Sequence, residues 1–159
     1  MNSPQRTHAG PPGPPGTAGP AHRNDPETIR RLLTGKGRWA VAGLSANRAR
    51  VAYRIAAYLQ DLGMEIAPVH PRAEDVHGAP GYPTLAAAAA AGPIDVVDVF
   101  VRSELAGAVV DDAIAAGAAA VWLQLGVVDE AAAARAKAAG LDVVMDTCPA
   151  IEAPRLGVA

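Results

Sequence analysis

Five short stretches of this 159-residue chain gather the side chains that could do chemistry: "GLSANR" at Gly43–Arg48, "PVHPR" at Pro68–Arg72, "VFVR" at Val99–Arg102, "LQLG" at Leu123–Gly126 and "DTCP" at Asp146–Pro149. Each follows or closes an apolar run. In the first, Gly43 permits a sharp turn and a close backbone approach to a ligand. Ser45 and Asn47 offer a hydroxyl and an amide beside the free N–H groups of the following helix, and a helix N-terminus favours an anion. Arg48 and Arg50 add positive charge, which suits a helix start only if an anion is bound there. The turn therefore fits phosphate, although the three-glycine dinucleotide spacing is absent. A plain helix cap at Ser45 or Asn47 would use the same residue types.

The other stretches narrow the phosphate compound. An NAD-binding fold places an acid at the end of its second strand to accept from the ribose hydroxyls; here that position carries His70 and Arg72. Basic residues suit a phosphate on the ribose, which leaves NADP or coenzyme A. Phe100 could cover an adenine and Arg102 could reach a phosphate. Gln124, beside Gly126, could bond a ligand amide. Asp98 interrupts the apolar "DVVDVF" and is expected to be bonded inside the fold, to a helix N-terminus or a loop amide. Cys148 has no basic neighbour in sequence and reads as a buried thiol rather than a nucleophile. The histidines His8, His22, His70 and His77 form no arrangement with a base and an orienting carboxylate, and no metal-ligand set is expected.

The elements that must position these residues alternate. Strand-like runs cover Arg38–Leu44, Glu65–His70, Asp95–Val101, Ala119–Leu125 and Leu141–Asp146. Helical stretches fill Pro26–Thr34, Ala49–Leu62, Thr84–Ala91, Glu104–Ala116 and Asp129–Ala139, with stop signals at Gly35, Gly63, Gly92, Gly117 and Gly140. Asp25 with Pro26 marks the first helix start. Tyr82, between Pro80 and Pro83, is expected in a short edge strand. Strand–helix alternation predicts an α/β fold: a Rossmann-like, doubly wound parallel sheet of five main strands plus the short edge strand, with helices on both faces. The expected order is the edge strand, then the second, first, third, fourth and fifth main strands. A crevice then opens beside the first strand, at its carboxyl end.

Composition bounds the rest. Half of the chain is hydrophobic but only 4% is aromatic, so Ala, Val, Leu and Ile must build the core. A net charge of −2 gives no reason to expect nucleic acid or an anionic membrane as partner. The lone cysteine allows no internal disulfide, and no apolar run is long enough to span a bilayer, so a cytoplasmic location is expected. Residues 1–24 are rich in Pro and Gly and read as a disordered tail; residues 25–159 read as one domain.

Taken together, these stretches resemble the small Rossmann-type CoA-binding proteins of the YccU-like family. Those are relatives of the CoA-binding domain of the succinyl-CoA synthetase alpha subunit. The likeness runs from about Trp39 to Leu156, on "VAGLSANRARVAYRIAAYLQDLG", "IAPVHPRAEDVHGAPGYPTL", "IDVVDVFVRSE", "AVWLQLGVVDEAAAARAKAAGLDVVMDTCP" and "IEAPRL". It implies coenzyme A held across the crevice. Gly43, Ser45, Asn47 and Arg50 would surround the diphosphate. His70, Pro71 and Arg72 would border the adenosine and its 3′-phosphate. Phe100 and Arg102 would flank the adenine side, Gln124 and Gly126 the pantetheine, and Cys148 would lie near the thiol end. The chain departs from the family at Val51 and Ala52, where Pro-Ser is usual, at His70, where Asn is common, and at Val101 and Thr147, where Arg is common.

Three functions follow as expectations. The first is a non-catalytic module that binds CoA or acyl-CoA. The second is an NADP-dependent oxidoreductase, for which Lys36 and Lys137 lie away from the crevice. The third is a redox-regulatory protein in which Cys148 forms a mixed disulfide with CoA.

Overall fold

The computed structural model describes residues 20–158. Five parallel strands form one sheet: β1 (Arg38–Ala42), β2 (Glu65–Val69), β3 (Val96–Val99), β4 (Ala120–Leu123) and β5 (Asp142–Val144). Their order is β2-β1-β3-β4-β5, the doubly wound order expected. The six helices among the described residues are α1 (Pro26–Thr34), α2 (Val51–Asp61), α3 (Leu85–Ala91), α4 (Ser103–Ala115), α5 (Glu130–Ala138) and α6 (Pro149–Arg155).

Both faces of the sheet are buried, which is why the strands read as continuous apolar runs rather than alternating ones. Ala40, Ala42, Val97, Val99, Val121 and Val143 pack with the apolar sides of α3, α4 and α5. On the other face Trp39, Val41, Val96, Trp122 and Val144 meet α1, α2 and α6. With so few aromatics, the two tryptophans supply the bulk there; their rings pack at 5.5 Å between centroids, tilted by 45°.

The edge strand shrinks to one bridge. Tyr82 N donates to Pro68 O at 2.8 Å, and His70 N donates to Tyr82 O at 3.0 Å. Within a strand, a residue's N–H and C=O point to the same side, so the donor that Pro68 lacks would face this outer edge, not β1. That makes a proline tolerable in β2 and leaves little for a longer sixth strand to pair with.

Three other features differ from the sequence-based expectation. Helix α2 begins at Val51, so Arg50 is its N-cap and Arg48 lies in the preceding turn. Helix α6, absent from the expected helices, carries Pro149 at its first turn and Pro154 inside its last. Gly92 ends α3 in extended backbone (φ 166°), not in the left-handed turn that Gly63, Gly117 and Gly140 adopt. Of the tail expected over residues 1–24, residues 1–19 lie outside the described residues; within residues 20–24, Asn24 both donates to and accepts from the Met145 backbone at 2.9 Å, and His22 N donates to Glu130.

Candidate ligand-binding crevice

Helices α2 to α6 each follow a strand, so their N-termini meet the strand tips on one edge. Between the tips of β1 and β3 the strand order reverses, and a cleft opens there. Gly43 turns out of β1 with φ 96°, and a Cβ on it would lie 2.5 Å from the Phe100 carbonyl oxygen. Glycine is therefore required by the closeness of the two strand tips themselves, whatever ligand comes near.

Three hollows run together at this point. One of about 710 Å³ is lined by Gly43, His70, Pro71, Thr84, Leu105 and Asp112, among others. A second of about 450 Å³ is lined by Val51, Gln124, Leu125, Val127, Cys148 and Ile151, among others. Arg50, Phe100, Val101 and Arg102 line both. A smaller hollow of about 330 Å³ lies against the start of α2, from Gly43 to Ala49–Ala52 and Phe100. These are volumes that accept small-molecule ligands.

The structure thus brings Gly43, Arg50, His70, Pro71, Phe100, Arg102, Gln124 and Cys148 onto one continuous cleft. Ser45, Asn47, Arg72 and Gly126 are not part of its wall. Ser45 Oγ accepts from Asn47 N at 3.2 Å, and Asn47 Oδ1 accepts from Ala49 N at 3.0 Å. These two side chains shape the turn and neither caps α2. Arg72 is exposed, and its backbone N–H donates to His70 Nδ1 at 3.2 Å. Gly126 has both backbone groups engaged: its N–H donates to Asp146 Oδ1 at 2.8 Å, and its C=O accepts from Ser103 Oγ at 3.3 Å.

Positive charge is left free at the cleft. Among the described residues Arg31, Arg38, Arg135 and Arg155 have carboxylate partners, whereas Arg23, Arg30, Arg48, Arg50, Arg54, Arg72 and Arg102 have none; of these, Arg50 and Arg102 line the cleft. Arg50 and Arg102 are also the N-caps of α2 and α4, and neither helix has a side-chain cap. A guanidinium cannot accept a hydrogen bond; Tyr53 N and Leu105 N bond the Arg50 and Arg102 carbonyls, and the first two N–H groups of each helix are left without a partner among the described residues.

Asp98 and Gln124 sit behind this surface. Asp98 pairs in register with Trp122, and Gln124, two residues further along, faces the same side of the sheet. Gln124 Nε2 donates to Asp98 Oδ1; Asp98 Oδ2 has no hydrogen-bond partner in the protein. The carboxyl is fully buried, which pushes its pKa up to about 8, with the Gln124 bond pulling partly back. The expected helix terminus or loop amide is thus replaced by a side-chain amide from the neighbouring strand. Burial also pushes the Cys148 thiol up, with Asp98 adding to the rise and the Ala150 and Ile151 N–H groups opposing it. The thiol is therefore held protonated at neutral pH, 8% exposed. Sequence reasoning missed Val51, Leu125 and Ile151, three apolar side chains lining the second hollow; their one signal is an apolar residue set among turn residues at a strand end.

Comparison with known proteins agrees with this architecture. The CoA binding domain family matches residues 37–154. The "Uncharacterized protein YneT" of Bacillus subtilis is 36% identical over 120 residues, 76% of this chain and 87% of that protein. A hypothetical protein from Pyrococcus horikoshii OT3 superposes with a TM-score of 0.77 at 34% identity, over 84% of this chain and 92% of that one. The apo dinucleotide-forming acetyl-coenzyme A synthetase 1 of Ca. Korarchaeum cryptofilum shares the fold, with a TM-score of 0.62 at 22% identity, over 74% of this chain and 28% of that one. With its doubly wound sheet and this match across most of its length, the chain belongs to the CoA-binding domain family.

Proposed function

We propose that the chain binds coenzyme A or an acyl-CoA at the carboxyl edge of its sheet and serves as a non-catalytic binding or regulatory module. The cleft between β1 and β3 supports this most directly, with two uncapped helix N-termini and two unpaired arginines around one glycine turn. Such a site suits a diphosphate. Arg50 and Arg102 would hold it, with the turn shaped by Ser45 and Asn47 supplying backbone N–H groups. His70, Pro71 and the exposed Arg72 side chain suit the adenosine and its 3′-phosphate. Phe100 would pack on the ligand between the two hollows. Gln124 and Cys148 would border the pantetheine, with Gly126 holding the loop behind them.

The alternatives fit less well. An NADP-dependent reductase needs a proton donor near the nicotinamide; Lys36 lines a hollow at the opposite edge, and Lys137 lies on α5. A mixed disulfide with CoA needs a thiolate, and burial opposes one at Cys148.

Isothermal titration with CoA, dephospho-CoA, NADP and NAD tests the proposal. CoA should bind, and dephospho-CoA about tenfold more weakly. Arg72→Ala should erase most of that difference, because one exposed charge pair contributes roughly 1 kcal/mol. Binding of NADP without CoA would refute the reading.

A further inference from the structure

The second hollow is unlike the first. Once the shared residues Arg50, Phe100, Val101 and Arg102 are set aside, its remaining walls are Val51, Gln124, Leu125, Val127, Cys148 and Ile151, all uncharged. The first hollow also has apolar walls, among them Val69, Leu85 and Leu105, but adds His70 and Asp112 to them. The distribution of exposed apolar residues points the same way. Among the described residues, the exposed large apolar side chains are Val51 (53%), Leu105 (49%), Leu125 (63%), Val128 (44%) and Ile151 (47%). All follow strand tips or begin helices on the ligand edge, and three of them line this one hollow. Apolar side chains concentrated around a concavity mark a binding surface. Its polar groups are held away from charge: the Gln124 amide is tied to Asp98, and the Cys148 thiol is protonated. A neutral thiol beside a bound thioester does not attack it.

Resting on the CoA reading above, we propose that this hollow, which takes the pantetheine along Gln124 and Cys148, also holds an acyl chain against Leu125 and Ile151, and that the preferred ligand is a CoA thioester of an uncharged aliphatic acid. Continuity carries the assignment. The arginines that would hold the diphosphate form the mouth of both hollows, so a ligand with its nucleotide in the first directs its thiol end toward the second. A carboxylate-ended acyl group would find no cation beyond the mouth.

Titration of the full chain with CoA, acetyl-CoA, hexanoyl-CoA and succinyl-CoA tests this. Each buried methylene is worth up to about fourfold in affinity, so partial burial predicts hexanoyl-CoA about tenfold tighter than CoA, and succinyl-CoA no tighter than CoA. Exposed Leu125 and Ile151 can be changed with little risk to folding. Leu125→Ser with Ile151→Ser should bring the hexanoyl-CoA to CoA ratio below about twofold. If CoA binds and hexanoyl-CoA is no tighter, the acyl subsite is refuted while the CoA reading stands. If no CoA compound binds, both fall. A dimer that Ile151→Ser breaks, with no chain-length preference, would assign the patch to a second copy and likewise overturn the proposal.

Discussion

The rim of the sheet divides into two regions that treat their polar groups differently. Around α3 and α5 every helix start is satisfied from within: Thr84 accepts from Ala87 N, and Asp129 accepts from Ala132 N. Around α2 and α4 the corresponding positions carry Arg50 and Arg102, which cannot cap, and these arginines have no carboxylate partner. Asp98, behind this same region, keeps one oxygen unbonded. Thr84 also lines the first hollow, so the cleft joins one capped helix start, that of α3, to the uncapped starts of α2, α4 and, at Cys148, α6, and local stability is given up at the last three. Unsatisfied donors and free cations together are what an anion completes.

The largest expected effect comes from Asp98. Its carboxyl lies near pKa 8 in the fold against 3.8 for an ordinary aspartate. Between those values the folded chain keeps a proton that the unfolded chain releases, so this group's contribution to stability is full below about pH 4 and is lost as pH rises toward 8. Asp98→Asn cannot ionise and can still pair with Gln124. It should match the wild type near pH 4 and exceed it by several kcal/mol near pH 8, by urea unfolding. His22, whose pKa burial lowers, works in the opposite sense, and the difference between the two proteins cancels it. Equal stabilities across the range would show that Asp98 is ionised in the fold and that the cleft is not backed by a neutral acid.

Arg50→Asp inverts the comparison directly. It gives α2 the cap that α5 already has, and should raise stability by about 0.5–1 kcal/mol. It also places a carboxylate where the diphosphate is proposed to lie. Affinity for CoA should fall about 100-fold, roughly 2.7 kcal/mol. Gain in one property with loss in the other is the signature of a site. Loss of both would make Arg50 a structural residue.

Much of this was legible in the sequence, and the exceptions share a cause. Strand–helix alternation and the glycine stops are local signals, and they yielded the sheet order and the position of the cleft. The Asp98–Gln124 bond depends on the register between β3 and β4, which no local pattern contains. The same holds for Gly126, whose partners Ser103 and Asp146 come from the start of α4 and the loop after β5. Helix α6 was hidden by Pro149 and Pro154, tolerated because one lies in the first turn and the other in the last. The start of α2 was misplaced by two residues because Asn47 looks like a cap but bonds Ala49 N ahead of the helix.

The smallest effect tests the other side of the comparison. Asp129→Ala removes the bond to Ala132 N and leaves α5 uncapped, as α2 and α4 are. The side chain lines neither hollow of the cleft. Stability should drop by about 1 kcal/mol, the usual cost of losing such a cap, and CoA affinity should stay within about twofold. If removing this cap created or strengthened anion binding, an open helix end alone would suffice for it. The arginines and the glycine turn would then not be what distinguishes the cleft. If affinity is unmoved, an open helix end alone does not make a site, and Arg50, Arg102 and the tight approach of Gly43 to Phe100 are what set the cleft apart.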